Sequence, residues 1–183
     1  MRKILVILFV FVAALAFGAN LPENGEKALN KELKKYFEKA EFTLLPLAIP
    51  VNEYANGYFY NVNTGTTQKV KYAYVGRVIA CRSTTCALPT KDAREFADFL
   101  DYLVLYNAAF EVERVKVFRL NSEHGAEVTS QGWLRQFSGF APGKKLTVGK
   151  EVDAVSGATI TVNNFTSDIQ ETTNLLYKIV YSR

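Results

Sequence analysis

Histidine, methionine and tryptophan each occur once in this 183-residue chain, and cysteine occurs twice. Two cysteines and one histidine cannot complete a structural zinc site, and no Cys-x-x-Cys-His is present to attach a haem. The one histidine, His124, has no nucleophile motif beside it, so there is no Ser-His-Asp arrangement to read. No glycine-rich fingerprint follows a strand pattern, which removes the dinucleotide-binding folds. Charge is not massed either: the formal +4 comes from interspersed acids and bases, without the basic stripe of a nucleic-acid binder. Beyond residue 17 no stretch is long and apolar enough to span a bilayer, and no internal repeat or low-complexity tract appears.

What is present begins with Arg2 and Lys3 ahead of an unbroken apolar run over residues 4–17. That run is short for a membrane span and has the length of a signal-peptide core, with Ala16, Gly18 and Ala19 as small residues for cleavage. Residues 1–19 are read as a secretory signal peptide and residues 20–183 as one domain, large enough for a full hydrophobic core. A retained N-terminal anchor is the other reading of the same run; no cysteine follows it to accept lipid. The expected location is the periplasm or cell envelope. Net charge falls from +4 to +2 when Arg2 and Lys3 leave.

Periodicity predicts an α+β fold, an antiparallel sheet flanked by helices. Residues 23–42 carry Leu29, Leu33, Tyr36, Phe37 and Ala40 at helical spacing. Tyr58, Tyr60 and Val62 alternate before Asn63-Thr64-Gly65-Thr66, and Val70, Tyr72, Tyr74 and Val78 alternate after it, which is a hairpin pattern with Gly76 as a candidate bulge. Those tyrosines suit packing or stacking on a ring. Thr90, Ala93, Phe96, Ala97 and Leu100 suggest a short helix, residues 100–106 a buried strand and residues 112–120 another strand. Residues 145–152 read as a short strand or extended connection. In the last element Phe165, Ile169, Leu176 and Ile179 share a helical face, with Asp168 and Glu171 read near its start and Lys178 near its end.

Cys81 and Cys86, in a chain read as exported, are expected to form a disulfide. Closing so small a loop stabilises by only about 2 kcal/mol, so the bond would pin residues 82–85 rather than hold the fold. A redox-active pair exchanging electrons with a cofactor is the alternative reading.

Chemistry is concentrated in Asp153-Ala154-Val155-Ser156-Gly157-Ala158-Thr159, which leads into the last helical run. Gly157 and Ala158 remove bulk where a large group must approach the backbone, and Ser156 offers a hydroxyl. A helix beginning near Thr161 would aim unpaired amides and its positive end at an anion here. An ordinary turn with Thr159 or Thr161 as N-cap is the plainer reading. The segment closely resembles the flavinylation motif of FMN-binding domains, as found in the flavin-carrying subunits of Rnf complexes and of the sodium-pumping NADH:quinone reductase. The resemblance covers about residues 112–176. It implies that Thr159 holds FMN through a phosphoester from its Oγ, with Asp153, Ser156, Gly157 and Ala158 completing the motif, and that a flavin transferase using FAD and Mg²⁺ installs it.

The upstream stretch Glu123-His124-Gly125-Ala126-Glu127-Val128, followed by Gly132-Trp133-Leu134-Arg135-Gln136-Phe137, is similar to the loop and short helix that precede the motif in that family. Members from the Rnf and quinone-reductase complexes typically have Glu-Thr-Pro-Gly-Leu-Gly there, so this chain looks more like the small exported single-domain members. On this resemblance Glu123, His124, Gly125, Glu127 and Trp133 join the cofactor-binding set. His124 between Glu123 and Glu127 would stay protonated and either contacts the flavin or is solvated. Trp133 and Phe137, at i and i+4, either wall the ring or anchor the core. Lys144, Lys145 and Lys150 either screen the phosphate or form a solvated face.

The function implied is an exported electron carrier rather than a stand-alone enzyme, in which FMN does the redox chemistry and the protein orients it. A redox donor and an acceptor, either of them membrane-associated or not, are expected partners. The alternative is a module that binds FMN without a covalent bond, or a sensor or accessory protein on the same fold. Neither metal nor nucleic acid is expected.

Overall fold

A computed structural model describes residues 22–38, 41–65, 69–80, 98–122 and 125–181. The signal segment, Ala40, the helix read from Thr90, the Cys81 and Cys86 loop, and Glu123 and His124 lie outside the described residues.

Helix α1 (Gly25–Tyr36) is followed by strands β1 (Phe42–Leu47), β2 (Gly57–Thr64), β3 (Tyr72–Ile79), β4 (Phe99–Tyr106) and β5 (Val112–Asn121). They form one antiparallel sheet in the order of the sequence, β1-β2-β3-β4-β5. A 3₁₀ turn (Ala126–Thr129), the one-turn helix α2 (Gln131–Leu134) and a second 3₁₀ turn (Arg135–Phe137) come next, and the chain ends in the long helix α3 (Thr159–Tyr181). This is the expected α+β arrangement, with helices on both faces of the sheet.

Burial explains the layering. Along β3 and β4 nearly every residue is buried, as in strands covered on both faces. One face presents Ala73, Val75, Leu103 and Leu105 to Leu29, Leu33 and Phe37 of and just beyond α1. The other presents Tyr74, Val78, Leu100, Tyr102 and Tyr106 to Phe165, Ile169, Leu176 and Ile179 of α3. Helix α1 also buries an acid: Glu32, 3% exposed, accepts from Arg114 at 2.7 Å and Lys116 at 2.5 Å on β5.

The structure corrects several sequence readings. Gly76 is not a bulge, since it pairs in register with both Gly57 and Tyr102. It is glycine because a Cβ there would lie 2.3–2.4 Å from the Tyr74 ring, which lies across it. The register shifts occur instead between β4 and β5, at Asp101/Tyr102 and Leu105/Tyr106. Val70 faces the α1 side rather than sharing a face with Tyr72, Tyr74 and Val78, because β3 begins only at Tyr72. Leu100 belongs to β4. Asp168 and Glu171 lie well inside α3, whose first turn holds no acid, so they do not compensate its dipole. Residues 145–152 form an extended connection closed by a single bridge between Val148 and Val152. No described helix is long and apolar enough to cross a membrane.

Burial tends to raise the pKa of Glu32, but hydrogen bonds and charge from Lys116 and Arg114 outweigh it and hold the carboxyl below its usual range. A depressed carboxylate contributes stability that is present above its unfolded pKa and lost as pH falls through the folded value. Glu32→Ala should therefore lower stability at pH 7 by about 2 kcal/mol, toward the low side for a buried pair because its partners are half-exposed. Urea titrations should show that deficit narrowing below about pH 4.

Candidate functional site

The attachment loop is built from its two ends. Upstream, β5 delivers the chain to Gly125, whose φ of +76° starts the Ala126–Thr129 turn. A Cβ on Gly125 would meet the Ala158 Cβ at 2.9 Å. The two segments singled out in the sequence are thus in contact, Gly125 against Ala158. Glu127 is exposed on this turn, while Val128 beneath it is fully buried.

Ser130 caps α2, its side chain accepting from the Trp133 amide. That short helix drives Trp133 and Phe137 into the core, where the Trp133 ring stacks on Phe165 with centroids 6.0 Å apart and meets Phe137 edge-on at 5.3 Å. Of its two readings, Trp133 takes the core anchor. Its indole still reaches the loop, because Nε1 donates to the Asp153 carbonyl at 3.0 Å. Gln136 completes the grip: its Oε1 accepts from the Asp153 amide at 2.7 Å, and its Nε2 donates to the Trp133 carbonyl at 3.0 Å. Asp153 is held by its backbone, and its side chain is exposed.

From there Val155 to Ala158 make a tight turn, closed by the Ala158 amide donating to the Val155 carbonyl at 3.1 Å. Gly157 sits third in it at φ +76°, where a side chain is strained and glycine is favoured. Ala158 is buried, whereas Ser156, Gly157 and Thr159 are exposed. The Ala158 carbonyl accepts the first helical bond, from Val162 at 3.0 Å. Helix α3 therefore starts at Thr159, two residues earlier than expected, with an alanine at its N-cap.

Alanine cannot cap, and among the described residues no side chain accepts from the amides of Thr159, Ile160 or Thr161. With no acid in the first turn, the positive end of α3 is open to solvent. An exposed hydroxyl, Thr159, stands on this open end, while Thr161 is buried at 7% exposure. That donor set suits the phosphate end of FMN.

Lys144 and Lys145 do not belong to it. Gly143 and Leu146 donate their amides to the side chains of Asn174 and Gln170 on α3. Those residues lie 15 and 11 positions beyond Thr159, so Lys144 and Lys145 stand about 16–22 Å along the helix from it. Lys150 is engaged with Glu151 at 3.3 Å. Tyr72 and Tyr74 are likewise core residues. Among the described residues no group of three or more histidine, cysteine or acidic side chains could hold a metal. The backbone clamp on Asp153 by Trp133 and Gln136 had no signal in the sequence beyond the presence of a lone tryptophan.

Trp133→Phe keeps the packing and removes one of the two hydrogen bonds on Asp153. It should cost about 1 kcal/mol and speed amide hydrogen exchange across residues 153–158. Unchanged exchange there would show that other contacts hold the loop.

A search of curated proteins finds no match. Residues 96–174 match the family model of the FMN-binding domain. The match runs from the approach to β4 through the loop and most of α3, so it contains every part of the site just described. Over that stretch the chain is similar to an FMN-binding domain, which supports a flavin-binding protein.

Proposed function

We infer that the protein is an exported electron carrier whose single FMN is tethered through its phosphate to Oγ of Thr159. One observation carries the choice of residue: Thr159 is the exposed threonine at the uncapped start of α3, and the neighbouring Thr161 is buried. The free amides of residues 159–161 and the helix dipole stabilise a phosphate dianion there. The Ser156-Gly157 turn leaves the approach clear for a transferase that uses FAD and Mg²⁺. Bound flavin supplies one- and two-electron chemistry. The chain's residues orient it: Trp133 and Gln136 fix Asp153, and Gly125 backs Ala158. Residues 1–19 direct export to the periplasm or cell envelope, where a tether prevents loss of the cofactor. Donor and acceptor are other redox proteins or membrane carriers.

A second reading keeps the same phosphate site without the ester, since open helix amides bind a free phosphate equally well. Intact mass separates the two. Full-length protein made with an active flavin transferase should gain the mass of FMN less one water and stay yellow after denaturation. Thr159→Ala should abolish the gain, and Thr161→Val and Ser156→Ala should retain it. A protein that binds FMN yet gains no mass is a non-covalent module instead.

A further inference from the structure

The contact between α3 and the sheet contains a polar seam with a carboxylate in it. Asp168 is half-buried on the face of α3 toward β4, and its Oδ2 accepts from the Tyr102 hydroxyl. Tyr102 is fully buried, as are Tyr74 and Tyr106 on the same face. The Tyr106 hydroxyl is 3.3 Å from Thr173 Oγ1, whereas the Thr166 hydroxyl has no hydrogen-bond partner among the described residues. Apolar residues would fill this space at lower cost than a carboxylate.

We propose that Asp168 is the proton site that couples the redox state of the flavin to pH, taking up a proton from solvent when the cofactor at Thr159 gains negative charge. The proposal rests on Thr159 as the attachment point. Both residues lie on one rigid helix, nine positions apart, which is about 14 Å along the axis. No cation is paired with Asp168 among the described residues, so only the Tyr102 hydroxyl favours its ionised form. The groups that face it are Tyr102, Tyr74 and Tyr106 from the sheet, Glu171 from its own helix, and Tyr54 through Tyr74.

Burial raises the Asp168 pKa to about 6, with the Tyr102 bond pulling it down and Glu171 pushing it up. It therefore changes charge near neutral pH. Its partial exposure lets the proton exchange with water, and Tyr102 can donate to either form, so titration leaves the geometry intact. Only an O–H bond forms on Asp168. The electrons come from the donor that reduces the flavin, dithionite in the experiment below. Negative charge gained by the cofactor should raise the Asp168 midpoint.

The test uses the full chain, flavinylated and checked by intact mass. Carboxyl NMR of Asp168 is followed against pH with the flavin oxidised and then reduced by dithionite, and the flavin midpoint potential is measured over the same range. The expected result is a higher Asp168 midpoint in the reduced protein and a potential that bends with pH near 6. Asp168→Asn should remove the bend with flavin still attached. Tyr102→Phe should move it to higher pH, a shift that a purely structural role would not produce and one that is available if the asparagine variant does not fold. Equal Asp168 midpoints in both redox states of the flavinylated protein, or a bend that survives Asp168→Asn, overturn this proposal alone. A chain that gains no flavin mass overturns the attachment at Thr159 and this proposal with it.

Discussion

Apolar side chains leave both faces of β3 and β4, so a sheet built around these strands needs a cover on each side. Short connections place β2 and β5 beside them as a meander, and the two helices supply the covers. Helix α1 closes one face with two leucines and a phenylalanine, and its approach is close enough that a Cβ on Gly25 would lie 2.6 Å from Val75. On the other face the cover is shared by α3, Trp133, Phe137 and Phe140. The segment from Gly125 to Ala158 is thus the rest of that cover, and its conformation is set by what it must bury.

Exposure of Thr159 follows from the same requirement. Phe165 and Ile169 fix which side of α3 faces the sheet. Counting back with the helical period, Val162, Thr161 and Ala158 fall on the buried side and Ile160 and Thr159 on the open one. A shift of two residues would expose Thr161 in place of Thr159. The turn at Gly157 then matters because it lets the chain enter the helix from the outside without spending Thr159 as a cap.

Much of this was legible in the sequence where one local rule decides. The hairpin was readable from alternation, α3 from its apolar face, and the loop from Ser156-Gly157-Ala158-Thr159. Readings failed where distant chain decides. Gly76 looked like a bulge because alternation cannot show that the Tyr74 ring will lie across it. Lys144 and Lys145 precede the motif in sequence, yet Gln170 and Asn174 draw their backbone toward the middle of α3. Asp168 and Glu171 were placed near a helix start that lies further upstream, since an alanine N-cap gives no cue to the boundary. Trp133 carried both of its readings until the fold put Phe165 beside it.

Apolar packing between a long helix and a sheet tolerates small sliding, whereas directional bonds do not. Among the polar contacts that pin α3 along its axis are four between Asn164 and Thr173: Asn164 Nδ2 donates to the Ile79 carbonyl at 2.9 Å, Asp168 accepts from Tyr102, Gln170 accepts from the Leu146 amide, and Tyr106 meets Thr173. They are spread over about three turns and reach β3, β4 and the loop before the motif. An α3 displaced by one residue would break all four, and several of the freed groups would be left in the core, where an unmade bond costs more than a made one gains. The position of Thr159 at the edge of the domain is therefore determined by side chains well along the helix from it. A polar seam that is costly to bury makes structural sense on these terms: it fixes the register that an apolar interface would leave loose, and with it the place of the open end of α3.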